Sequence, residues 1–207
     1  GAITPANFGS GVVTTNLLVG FNGGSMTVVS GHSVTSGLRA ADSDSAGAGT
    51  VTVSGSGISD SLTLTLNDSD QLANTFNGAE TLNLVSNGDL DGSAADGAAN
   101  TGTTLTMTAT AAPETLVITG ATALTLTGAV TADAINAAAF TGALTMSVAS
   151  TGAISVTGGS GNDVLFGTTG ADTLSGGAGD DTFNGVAGSD IVTTGAGNDV
   201  VSMLVAD

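Results

Sequence analysis

The chain has 207 residues, no cysteine, and a formal net charge of −17, with 18 acidic residues against one basic residue. General binding to nucleic acid or to anionic membrane surfaces is excluded, because both depend on Lys and Arg. Disulfides and thiolate metal sites are excluded as well. Small and β-branched residues dominate, and no apolar run is long enough to span a membrane, so we expect an all-β protein whose ligands are cations.

Residues 1–77 contain several apparent strands, such as SMTVVSG and SLTLTLND, separated by turns of Gly, Ser and Asp. The pattern is compatible with solenoid coils and with a small sandwich joined to the following region. The first residues, GAITPANFGSG, have neither an initiator Met nor the form of a signal peptide, so we expect a mature product or a fragment.

Three other features of this first region bear on chemistry. Two acidic pairs with weaker spacing, Asp68 with Asp70 and Asp42 with Asp44, are possible metal ligands, although solvated turns explain them better. The single histidine, His32, lies in a turn sequence with no G-x-S-x-G or H-E-x-x-H context. We therefore expect no enzymatic activity.

Residues 78–157 repeat short strands that end in Gly, Ala or Asp, including ETLVITG, ALTLTG, DAINAAAF and GALTMSV. The last of this region, ASTGAISVT (149–157), places Ile154 where the following repeats have Asp. The pattern predicts a metal-free parallel solenoid. Within it, SNGDLDGSAAD (86–96) begins like an EF-hand loop but lacks the closing Glu, so Asp89 and Asp91 are weaker candidate calcium ligands.

Residues 158–202 form five consecutive nonapeptides: GGSGNDVLF, GTTGADTLS, GGAGDDTFN, GVAGSDIVT and TGAGNDVVS. The fourth position is always Gly, the sixth always Asp and the eighth always apolar. A fixed short period predicts a solenoid in which each repeat packs only on its neighbours. The glycine-rich positions predict a turn, and the last three positions predict a short strand whose eighth residue points into the core. The sixth-position residues are Asp163, Asp172, Asp181, Asp190 and Asp199.

If two nonapeptides complete one coil, these acids form two rows, with Asp163, Asp181 and Asp199 on one edge and Asp172 and Asp190 on the other. Stacked carboxylates without a basic neighbour repel one another, and Ca²⁺ relieves this because it accepts six to eight oxygen ligands in flexible geometry. We expect three sites, from the pairs 163/181, 181/199 and 172/190. Additional candidate ligands lie at the fifth position: Asn162, Asp180 and Asn198. Thr168, Val186 and Thr194 replace turn glycines and predict weaker sites.

The nonapeptides resemble the RTX repeat of bacterial proteins exported by type I secretion. Together with GAETLNLVSNGD (78–89) and APETLVITG (112–120), they also resemble RTX-type surface-layer proteins of Gram-negative bacteria. This resemblance implies a secreted protein that forms a calcium-dependent lattice on the cell exterior. The family's metal-binding role carries over to the sixth-position Asp residues.

The sequence thus predicts a right-handed parallel β-solenoid that ends in an RTX β-roll, divided into residues 1–77, 78–157 and 158–207. The expected function is that of a secreted, calcium-binding structural protein of a surface layer or extracellular assembly, with several Ca²⁺ ions. The alternative is the stalk or tail of an RTX adhesin. The expected partners are other copies of the chain and a cell-surface polysaccharide, with no nucleic acid and no membrane insertion.

Overall fold

The computed structural model describes residues 15–18, 25–29, 34–39, 47–54, 61–67, 72–77, 80–87, 100–108, 114–148 and 152–203. These residues include eighteen β-strands. Among them there is no helix long and apolar enough to cross a membrane. The prediction of an all-β fold is confirmed.

The strands alternate between two nine-stranded sheets, in which every neighbouring pair with a defined register is parallel. The odd sheet contains β1 (Thr15–Leu18), β3 (Val34–Arg39), β5 (Ser61–Asn67), β7 (Thr81–Asn87), β9 (Thr115–Gly120), β11 (Ala134–Phe140), β13 (Ser155–Thr157), β15 (Thr173–Ala178) and β17 (Ile191–Ala196). The even sheet contains β2 (Ser25–Val29), β4 (Gly47–Ser54), β6 (Leu72–Asn77), β8 (Asn100–Thr108), β10 (Leu124–Thr131), β12 (Leu144–Val148), β14 (Val164–Phe166), β16 (Thr182–Val186) and β18 (Val200–Met203). The fold is therefore a parallel β-solenoid with two strands in each coil; its handedness stays a prediction.

The register of the last strands shows how many repeats make one coil. Leu165 in β14 pairs with Phe183 in β16, and Leu174 in β15 pairs with Val192 in β17. Each pair joins the eighth positions of two nonapeptides that are separated by one intervening nonapeptide. One coil therefore consists of two nonapeptides, as the sequence predicted.

The six strands described between residues 15 and 77 belong to the same two sheets. They pair in parallel with one another, and β5 pairs with β7 across residue 78. This is the pairing of solenoid coils rather than that of an antiparallel sandwich. The second boundary, at residue 158, is also crossed by continuous pairing, between β13 and β15. The division into three regions, which was based on their different sequence repeats, stays a prediction.

The core lies between the two sheets and is built from alternate residues of each strand. In β9, for example, Leu116 and Ile118 are fully buried while Val117 between them is only partly buried. Of the eighth-position residues, the first three are fully buried, Val192 packs against the core from the side, and Val201 is 39% exposed. The apolar eighth position is thus the core position of the repeat.

The fourth-position glycines are required by the close stacking of successive coils. Gly179 has a φ of 111°, and a Cβ added there would lie 2.7 Å from the carbonyl carbon of Gly161 in the preceding coil. Gly197 has a φ of 142°, and a Cβ added there would lie 2.6 Å from the carbonyl carbon of Gly179. A side chain at either position would be strained by the backbone conformation and would also collide with the coil before it. This explains why the fourth position is Gly in all five repeats.

Candidate metal centre

The five sixth-position aspartates each stand immediately before a strand. Asp163, Asp181 and Asp199 precede β14, β16 and β18 and form the row that we call the even edge. Asp172 and Asp190 precede β15 and β17 and belong to the odd edge. Because these strands pair in parallel within their own sheets, the acids stack as the two rows that the sequence predicted.

One carboxylate oxygen of every one of these aspartates is used by the fold. Asp181 Oδ1 accepts a hydrogen bond of 2.9 Å from the backbone N–H of Asp163, and Asp199 Oδ1 accepts one of 3.0 Å from that of Asp181. Asp190 Oδ1 accepts one of 2.8 Å from Asp172. The same bond from the preceding coil reaches Asp163 from Leu144 and Asp172 from Ile154. Each carboxylate therefore joins two coils, and its second oxygen remains for other contacts.

The second oxygens on the even edge differ in their partners. Asp163 Oδ2 accepts a 2.8 Å hydrogen bond from the backbone N–H of Gly159 in its own turn. Asp181 is only 1% exposed, and its Oδ2 has no hydrogen-bond partner. A buried carboxylate oxygen without a donor costs free energy, since desolvation is not compensated. The centre of the even edge is therefore an acceptor that lacks a positive partner.

No basic side chain supplies that partner. The only Lys or Arg in the chain, Arg39, lies in β3, and five strands of the odd sheet separate β3 from β15. Burial raises the pKa of the Asp163 carboxyl above its usual 3.8, although hydrogen bonds from Gly159 and Leu144 lower it. Burial likewise raises the pKa of Asp181, with a further rise from the charges of Asp199 and Asp180. The fold therefore holds carboxylates where their charge is disfavoured unless a cation is bound.

The backbone around these two acids provides further oxygens. A Cβ added at Gly176 would lie 2.9 Å from Asp181 Cγ and would collide with both Asp181 Oδ2 and the carbonyl oxygen of Thr194. A Cβ added at Gly158 would lie 2.6 Å from Asp163 Oδ2 and would collide with the carbonyl oxygen of Gly176. In both turns, a carboxylate oxygen and a carbonyl oxygen from the next coil converge beside a glycine. This all-oxygen donor set fits Ca²⁺.

The side chains alone do not form a complete metal shell. Within the described ranges, no group of three or more His, Cys, Asp or Glu side chains is placed to hold a metal ion. Any ion on the even edge must therefore take much of its coordination from backbone carbonyls. This agrees with the composition of the turns, because glycine allows the backbone to approach a ligand closely.

The fifth-position candidates form a separate exposed row. Asn162 Oδ1 accepts a 2.9 Å hydrogen bond from the backbone N–H of Asp180, and Asp180 Oδ1 accepts one of 2.8 Å from Asn198. All three side chains are exposed. These bonds repeat the inter-coil bond of the sixth position on the outer surface. The geometry thus gives these residues a role in stacking the coils, and their role as ligands stays a prediction.

The odd edge has a different turn. Thr168 occupies the second position of its nonapeptide, where the even edge has Gly159 and Gly177. Its backbone N–H donates to Asp172 Oδ2 at 2.6 Å, and its Oγ1 lies 2.9 Å and 3.1 Å from the two oxygens of Asp172. Like Asp181, Asp172 is only 1% exposed. Both oxygens of this buried carboxylate therefore have donors within the protein.

The odd edge also contains three acids outside the nonapeptides, which were not predicted to belong to the rows of aspartates. Glu80, Glu114 and Asp133 precede β7, β9 and β11, and they share the row of Asp172. Asp133 Oδ2 accepts a 3.0 Å hydrogen bond from the backbone N–H of Glu114, which is the same inter-coil bond as in the repeats. In the sequence, these acids could have been identified by their position immediately before a strand that begins with Thr or Ala.

The remaining predicted candidates cannot be placed in this geometry. Four of the weaker candidate ligands lie outside the described residues: Asp68, Asp70, Asp89 and Asp91. Asp42, Asp44 and His32 lie outside them as well. Their suggested roles stay predictions.

Comparison with protein families identifies the repeated segment. Residues 157–192 and 181–202 match the model of the RTX calcium-binding nonapeptide repeat, a unit of four copies. Comparison of the chain with curated proteins and with solved structures gives no match. RTX repeats bind several calcium ions and are typical of secreted proteins. The C-terminal coils are thus an RTX β-roll, and its cofactor is Ca²⁺.

Proposed function

We propose that this protein is a secreted, calcium-binding structural component of a bacterial surface layer or extracellular assembly. Its C-terminal roll folds when calcium binds. The observation that carries this proposal is the even edge, where Asp181 is buried with one oxygen unpartnered and no basic residue nearby. The residues that would hold the ions are Asp163, Asp181 and Asp199, together with carbonyl oxygens of the glycine-rich turns.

The coupling of calcium to folding follows from the charges and the glycine content. Bound Ca²⁺ supplies positive charge that offsets the repulsion between stacked carboxylates. In its absence, that repulsion adds to the conformational entropy lost when glycine-rich turns become ordered. Extracellular modules bind Ca²⁺ with dissociation constants of about 10⁻⁴–10⁻³ M. A site held at about ten times its dissociation constant would stabilise the folded state by roughly 1.4 kcal/mol.

This coupling suits export and assembly outside the cell. A roll that is unfolded at low calcium concentration can be threaded through a type I secretion channel and can fold on reaching an exterior rich in calcium. Self-association is supported by the apolar side chains of β17 and β18, since Ile191 is 64% and Val200 54% exposed. Calcium would also reduce the repulsion between copies of a chain with a net charge of −17.

The decisive experiment combines a folding and an assembly measurement on the full chain. Circular dichroism during titration of an EDTA-treated sample with Ca²⁺ should show a cooperative gain of β-structure. Electron microscopy of the same samples should show ordered arrays or filaments only with calcium. Binding of calcium without any assembly, at high protein concentration, would favour the adhesin-stalk alternative. Absence of calcium binding would contradict both functions.

A further inference from the structure

Of the five sixth-position aspartates, Asp181 alone combines deep burial with an oxygen that has no donor. Asp163, Asp172 and Asp181 are each only 1% exposed. Asp190 and Asp199 are partly exposed, so water can reach their carboxylates. Both oxygens of Asp163 and both of Asp172 accept hydrogen bonds, whereas Asp181 Oδ2 accepts none. This difference separates Asp181 from its neighbours on both edges.

The turns in front of Asp163 and Asp181 have different backbone conformations. Gly159 follows the end of β13 and lies outside any strand, and its N–H donates to Asp163 Oδ2 at 2.8 Å. The equivalent residue, Gly177, lies within β15, where it pairs with Gly195 of β17. Gly177 also has a φ of 108°, in the left-handed region that Gly159 does not adopt. The chain before Asp181 thus stays in the sheet for longer, and no N–H of its turn reaches Asp181 Oδ2.

Asp181 Oδ2 lies near a second oxygen instead of a donor. A Cβ added at Gly176 would collide with both Asp181 Oδ2 and the carbonyl oxygen of Thr194 in the next coil. Two acceptors without a hydrogen between them repel each other, and the desolvation of Asp181 is left uncompensated. A similar pair of oxygens lies beside Gly158, but there the oxygen of Asp163 already has a backbone donor. A cation beside Asp181 therefore relieves a larger cost than a cation beside Asp163.

From these contacts we propose that the highest-affinity calcium position of the roll lies between turns 176–181 and 194–199, where Asp181 Oδ2 and the carbonyl oxygen of Thr194 converge. Asp199 completes the stacked pair at this position, since its Oδ1 accepts the hydrogen bond from the backbone N–H of Asp181. Positions beside Asp163 and Asp172 hold calcium less tightly, because donors of the protein already compensate these carboxylates. This inference rests on the proposed calcium binding and ranks its sites.

The test is the release of Ca²⁺ from the full chain after stopped-flow mixing of the calcium-loaded protein with an excess of a fluorescent calcium chelator. Release starts from the folded state, so its rates do not include the cost of folding. Because affinities of related sites differ mostly in their dissociation rates, the slowest phase reports the tightest position. In the wild-type chain this phase should be at least about tenfold slower than the others, the effect expected when one uncompensated buried acceptor is relieved.

Four substitutions of Asp by Asn assign the slow phase, because Asn keeps one acceptor oxygen for the inter-coil hydrogen bond. Asp181→Asn and Asp199→Asn should abolish the slow phase, whereas Asp163→Asn and Asp172→Asn should retain it. Asp199 and Asp163 form the matched comparison, since each belongs to one stacked pair with Asp181. Circular dichroism at saturating Ca²⁺ checks that each variant is folded. If Asp181→Asn does not fold, Asp199→Asn decides, because it changes a partly exposed side chain.

Three results would overturn the inference. They are a single release phase in the wild-type chain, a slow phase that persists in Asp199→Asn, and loss of the slow phase in folded Asp163→Asn or Asp172→Asn. A wild-type chain that binds no calcium would instead contradict the proposed function itself.

Discussion

The coils before residue 158 and the coils after it share one architecture but differ in what stabilises them. In β9 and β12 two side chains of each strand, and in β10 three, are fully or almost fully buried, as in the pair Leu116 and Ile118. Among the side chains of β14, β15 and β16 whose burial the structure describes, the eighth-position residue is the one buried apolar side chain of each strand. Since each fully buried aliphatic side chain contributes about 1.5–3 kcal/mol, the upstream coils obtain roughly twice the apolar stabilisation per strand.

The roll replaces this missing apolar burial with bonds made by its turns. A carboxylate from each repeat bonds to the backbone of the preceding coil, and buried acids take positions close to the core. Such a design gains stability only if the buried charges are balanced. The two regions show that one solenoid can change from an apolar core to one flanked by buried carboxylates without a break in its sheets.

The largest effect should come from removing calcium. In EDTA, the backbone amides of residues 158–203 should lose their protection from hydrogen exchange, whereas those of residues 114–148 should keep it, because their core is independent of metal. Hydrogen–deuterium exchange with mass spectrometry would resolve the two segments in the full chain. Equal protection of both segments in EDTA would show that the two regions do not differ in this way.

Truncation of one core residue in each region should show whether the upstream coils and the roll fold independently of each other. Leu116→Ala and Leu174→Ala both remove a fully buried leucine side chain and should each cost about 2–5 kcal/mol of unfolding free energy. Only Leu174→Ala should raise the Ca²⁺ concentration at the midpoint of folding of the roll. Calcium titrations followed by circular dichroism would measure both midpoints. A shift of similar size in Leu116→Ala would mean that the roll and the upstream coils fold as one unit.

Alanine substitutions at two glycines with positive φ should separate two losses of unfolding free energy. One comes from the strained backbone conformation, and the other from collision with the preceding coil. Gly179→Ala places a methyl group 2.7 Å from the carbonyl carbon of Gly161, at a φ of 111°. Gly185→Ala is the control, because its φ is 67° and its added Cβ meets nothing within 4 Å. We expect the control to cost about 1–2 kcal/mol from conformation alone, and Gly179→Ala to cost clearly more. Thermal unfolding in calcium measures both, and equal losses would refute the role of close stacking.

The smallest effect is the pH dependence of the metal-free roll. The pKa values of Asp163 and Asp181 are raised in the folded state above the usual 3.8, so the folded state binds more protons than the unfolded state in the range above 3.8. Stability in EDTA should therefore fall as pH rises through that range. Asp181→Asn should weaken this dependence. Because the roll is expected to be unfolded in EDTA near neutral pH, circular dichroism of the full chain in EDTA at several pH values would detect the effect as a partial gain of β-structure when the pH is lowered, and a loss of β-structure on acidification would contradict the assignment.

Much of the roll could be predicted from the nonapeptides. Their constant period gave the two rows of aspartates, the buried eighth position and the glycine at the fourth position, because a fixed repeat length forces equivalent residues into register. The upstream row was harder to recognise. Glu80, Glu114 and Asp133 recur without a constant spacing, so only strand pairing shows that they occupy the same edge as Asp172.

The sequence by itself determined the class of fold, the acidic repeat and the choice of a hard cation, because spacing and composition specify these without coordinates. Tertiary structure decided which carboxylate oxygens have donors. Asp172 and Asp181 occupy identical positions in their repeats, yet Asp172 has donors to both oxygens and Asp181 to only one. The reason is geometric: one donor is a backbone N–H of the adjacent coil and the other lies in the acid's own turn, so which oxygens have donors depends on how the turn folds and how the coils stack.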